Sequence, residues 1–180
     1  MLLSYREALE QYGGRFHLRK AVQENKLWRI SRGFYSTDGS HDSLALIPKR
    51  YPDAIVTGLT AYYIHGLTDV VPDVIDVATK RGGAKIQSPQ IKQQFISQDW
   101  IAIGKSIAVH DGVELTIYDQ ERMLLELMRE RNKLPYDLYK EVVSSYRRRA
   151  ENLDIYKLQD YAEAMPRGKK YLAIILKEVY

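Results

Sequence analysis

The apolar pattern of this chain changes period once, near Tyr118, and that change limits the folds open to it. Before it, short runs rich in β-branched and aromatic residues recur between turn signals, at residues 74–79, 106–110 and 113–118. After it, Met123, Leu124, Leu127 and Met128 share one helical stripe, Leu138, Val142, Val143 and Tyr146 a second, and Ile155, Leu158, Tyr161, Ala162 and Met165 a third. Pro135 and the run Pro166-Arg167-Gly168 punctuate the stripes, and a final segment spans 171–179. Strands followed by helices, rather than alternating with them, predict an α+β domain that ends in several helices. Further strands are expected at 94–96 and 101–103, an Asp111-Gly112 hairpin turn between the last two runs, and a helix, short strand and helix across 44–66.

The first 40 residues read differently. Leu2, Leu3, Ala8 and Leu9 recur at helical spacing before Gly13-Gly14, and Leu18, Ala21 and Val22 give residues 16–24 a second apolar stripe. Residues 27–31 and 34–36 then form two strand-like runs around Arg32-Gly33, a hairpin with a basic tip. Two short helices followed by such a hairpin is the layout of an abbreviated winged helix-turn-helix, one helix short of the full motif, in which a helix enters the major groove and the wing meets the flanking backbone. The expected organisation is therefore a winged-helix module at 1–40 and a mixed α+β domain at 41–180.

Charge agrees with that division. The whole chain carries +4, and residues 1–36 hold seven cations against three anions, so the entire excess lies in the first fifth. A local basic excess is what a module meeting phosphates displays, and it is also what keeps an edge hairpin soluble. The chain has no cysteine, which excludes disulfides, thiolate metal sites and cysteine nucleophiles. His17, His41, His65 and His110 lack metal-ligand spacing, and no phosphate-binding loop or nucleophile elbow occurs, so neither metal nor cofactor is expected. No apolar run reaches bilayer length and no leader is legible, which sets the expectation of a cytoplasmic protein.

One stretch suggests catalysis. Asp73, Asp76 and Lys80 are the residue types with which a metal-dependent nuclease holds Mg²⁺ and assists a water. Asp76 and Lys80 share a strand face, but they stand four apart, where the common nuclease arrangement places its acid and lysine two apart. An acid at a strand entrance with a cation at its exit needs no catalytic role. Asp119 and Glu121 in the first turn of a helix, and Arg147-Arg148-Arg149 in the last turn of another, complement helix dipoles, and the arginines are expected as solvated caps.

The order of features resembles the AbiEi family of antitoxins, from type IV toxin–antitoxin and phage abortive-infection systems. The stretch Leu27-Trp28-Arg29-Ile30-Ser31-Arg32-Gly33-Phe34-Tyr35 is similar to the family's wing, and Thr60-Ala61, His65-Gly66-Leu67 and the runs 72–81 and 113–130 follow in the family's order. The resemblance spans most of the chain, with short motifs and a compressed N-terminus. It implies a non-enzymatic regulator that binds operator DNA and represses its own operon, with a C-terminal domain countering a nucleotidyltransferase-like toxin without a stable complex. In that reading Arg15, His17, Arg19, Lys20 and Gln23 present donors from the second helix, where arginine and glutamine can read guanine and adenine edges. Lys26, Arg29 and Arg32 contact phosphates from the wing and fix register. The rivals are the nuclease using Asp73, Asp76 and Lys80, and a protein-interaction domain whose basic module meets an acidic partner.

Overall fold

The computed structural model describes residues 1–39 and 43–180, and His41 lies outside them. The chain divides into two compact units, Met1–Pro52 and Asp53–Tyr180. The first ends after Pro52 rather than after residue 40 because a short helix near residue 48 is tied back to the N-terminus. Its Lys49 Nζ donates to Leu2 O at 3.0 Å and to the Glu7 carboxylate at 2.9 and 3.0 Å.

The first unit runs β1 (Leu2–Ser4), α1 (Tyr5–Tyr12), α2 (Arg15–Gln23), β2 (Trp28–Ser31), β3 (Phe34–Ser36) and α3 (Leu46–Arg50). Leu2 and Leu3, expected to open the first helix, belong to a strand instead. The helix cannot start before Ser4, whose extended backbone closes a capping box: Ser4 Oγ accepts from Glu7 N at 3.3 Å, and the Glu7 carboxylate accepts from Ser4 N at 2.6 Å. β1 pairs antiparallel with β3, and β3 with β2, giving the sheet order β1-β3-β2. The β2–β3 register slips by one residue between Arg29 and Ser31, a bulge that sharpens the hairpin's twist. Leu3, Ala8, Leu18, Ala21, Leu27 and Tyr35 form the core, one or two residues from each of β1, α1, α2 and β3 and one from the loop entering β2.

The second unit runs β4 (Ile55–Val56), α4 (Gly58–Ile64), β5 (Ile75–Lys80), β6 (Ile91–Ile96), β7 (Lys105–His110), β8 (Val113–Tyr118), α5 (Gln120–Glu130), α6 (Tyr136–Arg148), α7 (Ile155–Ala164) and α8 (Gly168–Glu178). Its five-stranded sheet has the order β6-β5-β4-β8-β7, mixed parallel and antiparallel. The chain is thus α+β with a helical C-terminal end. Among the described residues no helix is long and apolar enough to cross a membrane.

α5 is the axis of this unit, buried from Glu121 through Met128. Arg122, with no exposed surface, shows how a cation survives there. It donates to Glu126 at 2.8 Å and to Trp100 O at 3.1 Å, and its guanidinium lies 4.6 Å over the Tyr118 ring and 5.0 Å over Trp100. Residues 101–103, expected as a strand, form a turn because carbonyls in that loop serve α5 and β8: Ile103 O accepts from Arg122 at 3.4 Å and Ile101 O from Tyr118 Oη at 2.9 Å. Gly104 holds φ +74°, and a Cβ there would stand 2.3 Å from Arg122 Cβ. The arginine triplet is likewise more than a solvated cap. Arg149 donates to His65 O and Gly66 O at 2.7 and 2.6 Å, holding the carbonyls of the C-cap residue of α4 and the one after it, and Arg147 donates to Glu178 O at the end of α8.

Candidate nucleic-acid interface

α2 buries Leu18 and Ala21, packs Val22 against the same core and leaves its other side chains to solvent. All eight residues expected to meet DNA are exposed: Arg15, His17, Arg19, Lys20 and Gln23 on α2, Lys26 before the hairpin, and Arg29 and Arg32 within it. They are not equivalent. Arg15, Arg19 and Gln23 follow one another at four-residue spacing along one side of the helix. That side faces β2 across a groove of about 400 Å³, and Arg29 closes it from the strand. Tyr35 lines the groove from β3, directly across the ladder from Arg29, and Tyr5 from α1 joins it, the two rings 6.5 Å apart. The structure therefore gathers Arg15, Arg19, Gln23 and Arg29 and leaves His17, Lys20, Lys26 and Arg32 outside the groove.

The outer four divide further. Lys26 lies 2.7 Å and Lys20 3.8 Å from Glu24, so one carboxylate partly neutralises both. Its hydrogen bond from Lys26 holds the Glu24 carboxyl below its ordinary range. His17 Nδ1 sits 3.4 Å from Gly13 O with its ring edge-on to Phe16. Arg32 projects from the hairpin tip. Among the described residues Arg15, Arg19, Arg29 and Arg32 make no ion pair, whereas Arg6 is held by Glu10 at 3.3 Å and Lys49 by Glu7. Among the described residues of this unit, Arg50 also makes no ion pair and lies 5.5 Å over the Tyr51 ring, while Arg15, Arg19, Arg29 and Arg32 are the unpaired cations on α2 and the hairpin.

Sequence reasoning missed Phe16, Tyr5 and Tyr35. Phe16 is 75% exposed on a helix otherwise lined with cations and amides. The signal was present in the spacing: at about 100° per residue Phe16 falls opposite Leu18, with Arg19, Lys20 and Gln23 beside it. A large apolar side chain off the core stripe of a basic helix is suited to touching a thymine methyl or a base face. The tyrosines carried no comparable signal, since their place depends on the β1-β3-β2 pairing.

In the second unit Asp76 is buried, and its carboxylate has a structural occupation. Oδ2 accepts from Leu59 N at 3.1 Å in the first turn of α4, and Oδ1 lies 3.4 Å from Lys92 Nζ on the adjoining strand. Burial raises the Asp76 pKa, with Lys92 and the Leu59 amide opposing the shift. Gly58 is fitted to this contact: its φ is +55°, and a Cβ would meet Asp76 Cγ at 2.8 Å. Lys80 is not the cation beside Asp76. Four residues along a strand separate them by about 13 Å, and Lys80 opposes Ile96 in the register where Asp76 opposes Lys92. Asp73 is exposed and shares with Asp76, Lys92, Arg129 and Lys133 a cleft of about 570 Å³. Arg129 and Lys133 there are paired with Glu126 and Glu130. Among the described residues no group of three or more histidine, aspartate or glutamate side chains could hold a metal ion.

Fold and surface together define a two-unit α+β protein whose N-terminal unit concentrates unpaired arginines around one groove. No family model matches the chain, and no curated protein matches it. Its fold is similar to the crystal structure of the RV2827C protein from Mycobacterium tuberculosis, with a TM-score of 0.66 at 12% identity, over 96% of this chain and 71% of that one.

Proposed function

We propose that this protein is a DNA-binding transcriptional regulator of the AbiEi antitoxin type, acting on operator DNA through residues Met1–Pro52. The observation that carries the reading is the set of four unpaired arginines, Arg15, Arg19, Arg29 and Arg32, placed on a helix and on the hairpin beside it. The topology supports it. A strand, two helices and a hairpin, with the first strand added to the hairpin in the order β1-β3-β2, fits the layout of a winged helix lacking its first helix. α2 is then the recognition helix, with Arg15, Arg19 and Gln23 toward base edges, and β2–β3 is the wing. The unit Asp53–Tyr180 is assigned the action against a nucleotidyltransferase-like toxin, on the family resemblance alone.

The test is binding of the purified chain to a duplex from its own upstream region and to a scrambled duplex across a salt series. Preference for the upstream duplex with a steep salt slope is the expected result. Equal weak binding to both duplexes reduces the first unit to a generic basic patch, and absence of binding refutes the reading.

A further inference from the structure

The two edges of the five-stranded sheet are built differently. β6 carries Lys92 near its start, and the loop before it is tied to the Gln93 side chain, which accepts from Ile86 N at 2.8 Å and donates to Ala84 O at 3.0 Å. β7, at the opposite edge, pairs with β8 alone among the described residues, and beyond Lys105 at its start it has no proline, no bulge and no charge in its central run Ile107-Ala108-Val109. Ile107 and Val109, on one face of the strand, are 65% and 70% exposed. An edge both apolar and open is a template for another strand.

We propose that β7 is the seam of a two-fold homodimer, in which two copies pair their β7 strands antiparallel and join their sheets. The register identifies a second copy as the occupant. Alternate residues of an edge strand direct their backbone groups outward, so two copies of one strand pair only where outward residues face outward residues. Such registers centre on a single residue facing itself. Centred on Ile107, Lys105 faces Val109; centred on Val109, Ile107 faces Asp111. Each sets a charge against an apolar side chain. Centred on Ala108, the small residue faces its own copy, Ile107 of one copy faces Val109 of the other on both sides of the axis, and Lys105 at the start of β7 comes opposite the turn residue Asp111 just past its end, at both ends of the seam. Both charges are available, for Lys105 is exposed and makes no ion pair among the described residues. The Asp111 side chain is 83% exposed and lies 3.6 Å from His110 Nε2. The one register that matches every apolar pair thus also matches both charge pairs, a self-complementarity that an unrelated partner strand would have no reason to meet.

The pairing holds whether or not the first unit binds DNA, and it is tested on the full chain without DNA by sedimentation equilibrium over about 1–200 µM, a range suited to a small strand-edge interface. A reversible monomer–dimer equilibrium is expected. Val109→Lys and Lys105→Glu should each weaken it by at least about tenfold, because every lesion occurs twice across the axis. Asp111→Asn added to Lys105→Glu should recover part of the loss by removing the acid–acid repulsion while keeping a residue suited to the positive φ of +48° at that turn position. Circular dichroism and melting temperature of the variants should match the parent, since both substituted side chains are solvent-exposed. A parent monomeric over the whole range, or a dimer that the folded Val109→Lys and Lys105→Glu variants leave intact, overturns the proposal.

Discussion

Arg32 and Lys26 look alike in the sequence, two cations flanking the wing, and the structure separates them. Arg32 stands at the hairpin tip without an ion pair among the described residues, whereas Lys26 Nζ lies 2.7 Å from Glu24. A cation that already holds a carboxylate releases little counterion when it meets a phosphate. Each phosphate that is newly neutralised contributes a slope of about −0.9 in log affinity against log salt. With Arg29 and Arg32 on phosphates and Arg15 and Arg19 toward base edges, the slope is about −1.8, and affinity falls by about 12-fold between about 50 and 200 mM salt. Arg32→Ala should bring the slope to about −0.9 and the loss over the same interval to about 3.5-fold. Lys26→Ala should change it by well under half as much. Fluorescence anisotropy with a labelled upstream duplex at five or more salt concentrations resolves the difference. A scrambled duplex run alongside should show the same reduction for Arg32→Ala, because a backbone contact carries no sequence preference. Arg19→Ala should instead narrow the gap between the two duplexes. If Arg32→Ala leaves slope and affinity at their parental values, the wing does not touch the DNA backbone. If Lys26→Ala and Arg32→Ala cost the same slope, the Glu24 pair does not persist in solution and the ordering of cations drawn from it fails.

Four further outcomes follow from contacts in the two units. Gly104→Ala should destabilise the second unit by about 2–5 kcal/mol, combining a strained positive φ with overpacking against Arg122, and a thermal shift within one degree of the parent would contradict it. Arg149→Ala removes two charge-assisted hydrogen bonds from the carbonyls of His65 and Gly66 and should cost about 2–4 kcal/mol in urea unfolding, with Arg149→Lys recovering only part. Asp76→Ala should lower stability by about 1–3 kcal/mol by leaving the part-buried Leu59 N–H without its acceptor. Plasmid and single-stranded RNA incubated with Mg²⁺ or Mn²⁺ should show no cleavage that depends on Asp76, and the opposite pair of results would return the carboxylate to a catalytic role. The Glu7 carboxyl is held down to about 2 from 4.5, first by the Ser4 amide and then by Lys49. Its folded pKa is the lower one, so the stabilisation is complete above 4.5 and is lost as pH falls towards about 2. Glu7→Gln should flatten the acid limb of the first unit's stability profile, and parallel profiles for parent and variant would remove Glu7 as its cause.

What the sequence made legible was whatever a local pattern encodes. The strand 113–118 with its Asp-Gly turn, the helix after Asp119 and the hairpin around Arg32-Gly33 all lie where period and turn chemistry place them. The errors share a different origin. Leu2 and Leu3 carry a helical spacing, but the Ser4 cap and the pairing with β3 override it, and that pairing joins residues more than thirty apart. Ile101 and Ile103 satisfy strand propensity, yet carbonyls of their loop are claimed by Arg122 and Tyr118. Of the candidate interface, exposure of all eight side chains was readable from the α2 stripe and the hairpin. Their division into a groove set, a neutralised pair and a free tip was not, because it depends on where Glu24, Tyr5 and Tyr35 come to rest.

The distribution of charge ties these observations together. Met1–Pro52 contains nine cations and five anions, and Asp53–Tyr180 eighteen of each, so the net +4 of the chain belongs wholly to the first unit. In the second unit the buried and cleft-lining charges are paired, within α5 (Arg122 and Arg129 on Glu126) or across elements (Lys157 on Asp119 and Glu121, Lys92 on Asp76). Arg122 and Arg129 are committed to the fold, since removing Glu126 would leave both at least partly buried and uncompensated, and removing Lys92 would leave the buried Asp76 carboxylate without its cation. In the first unit the capping box, the Glu7–Lys49 pair and the six-residue core account for the fold without calling on Arg15, Arg19, Arg29 or Arg32. Four arginines that the fold does not use, gathered on one helix and one hairpin, lower stability through mutual repulsion unless something anionic meets them. On the DNA-binding reading, single substitutions at those four positions should change binding to the duplex while leaving the melting temperature within about a degree, as surface changes away from caps and core do.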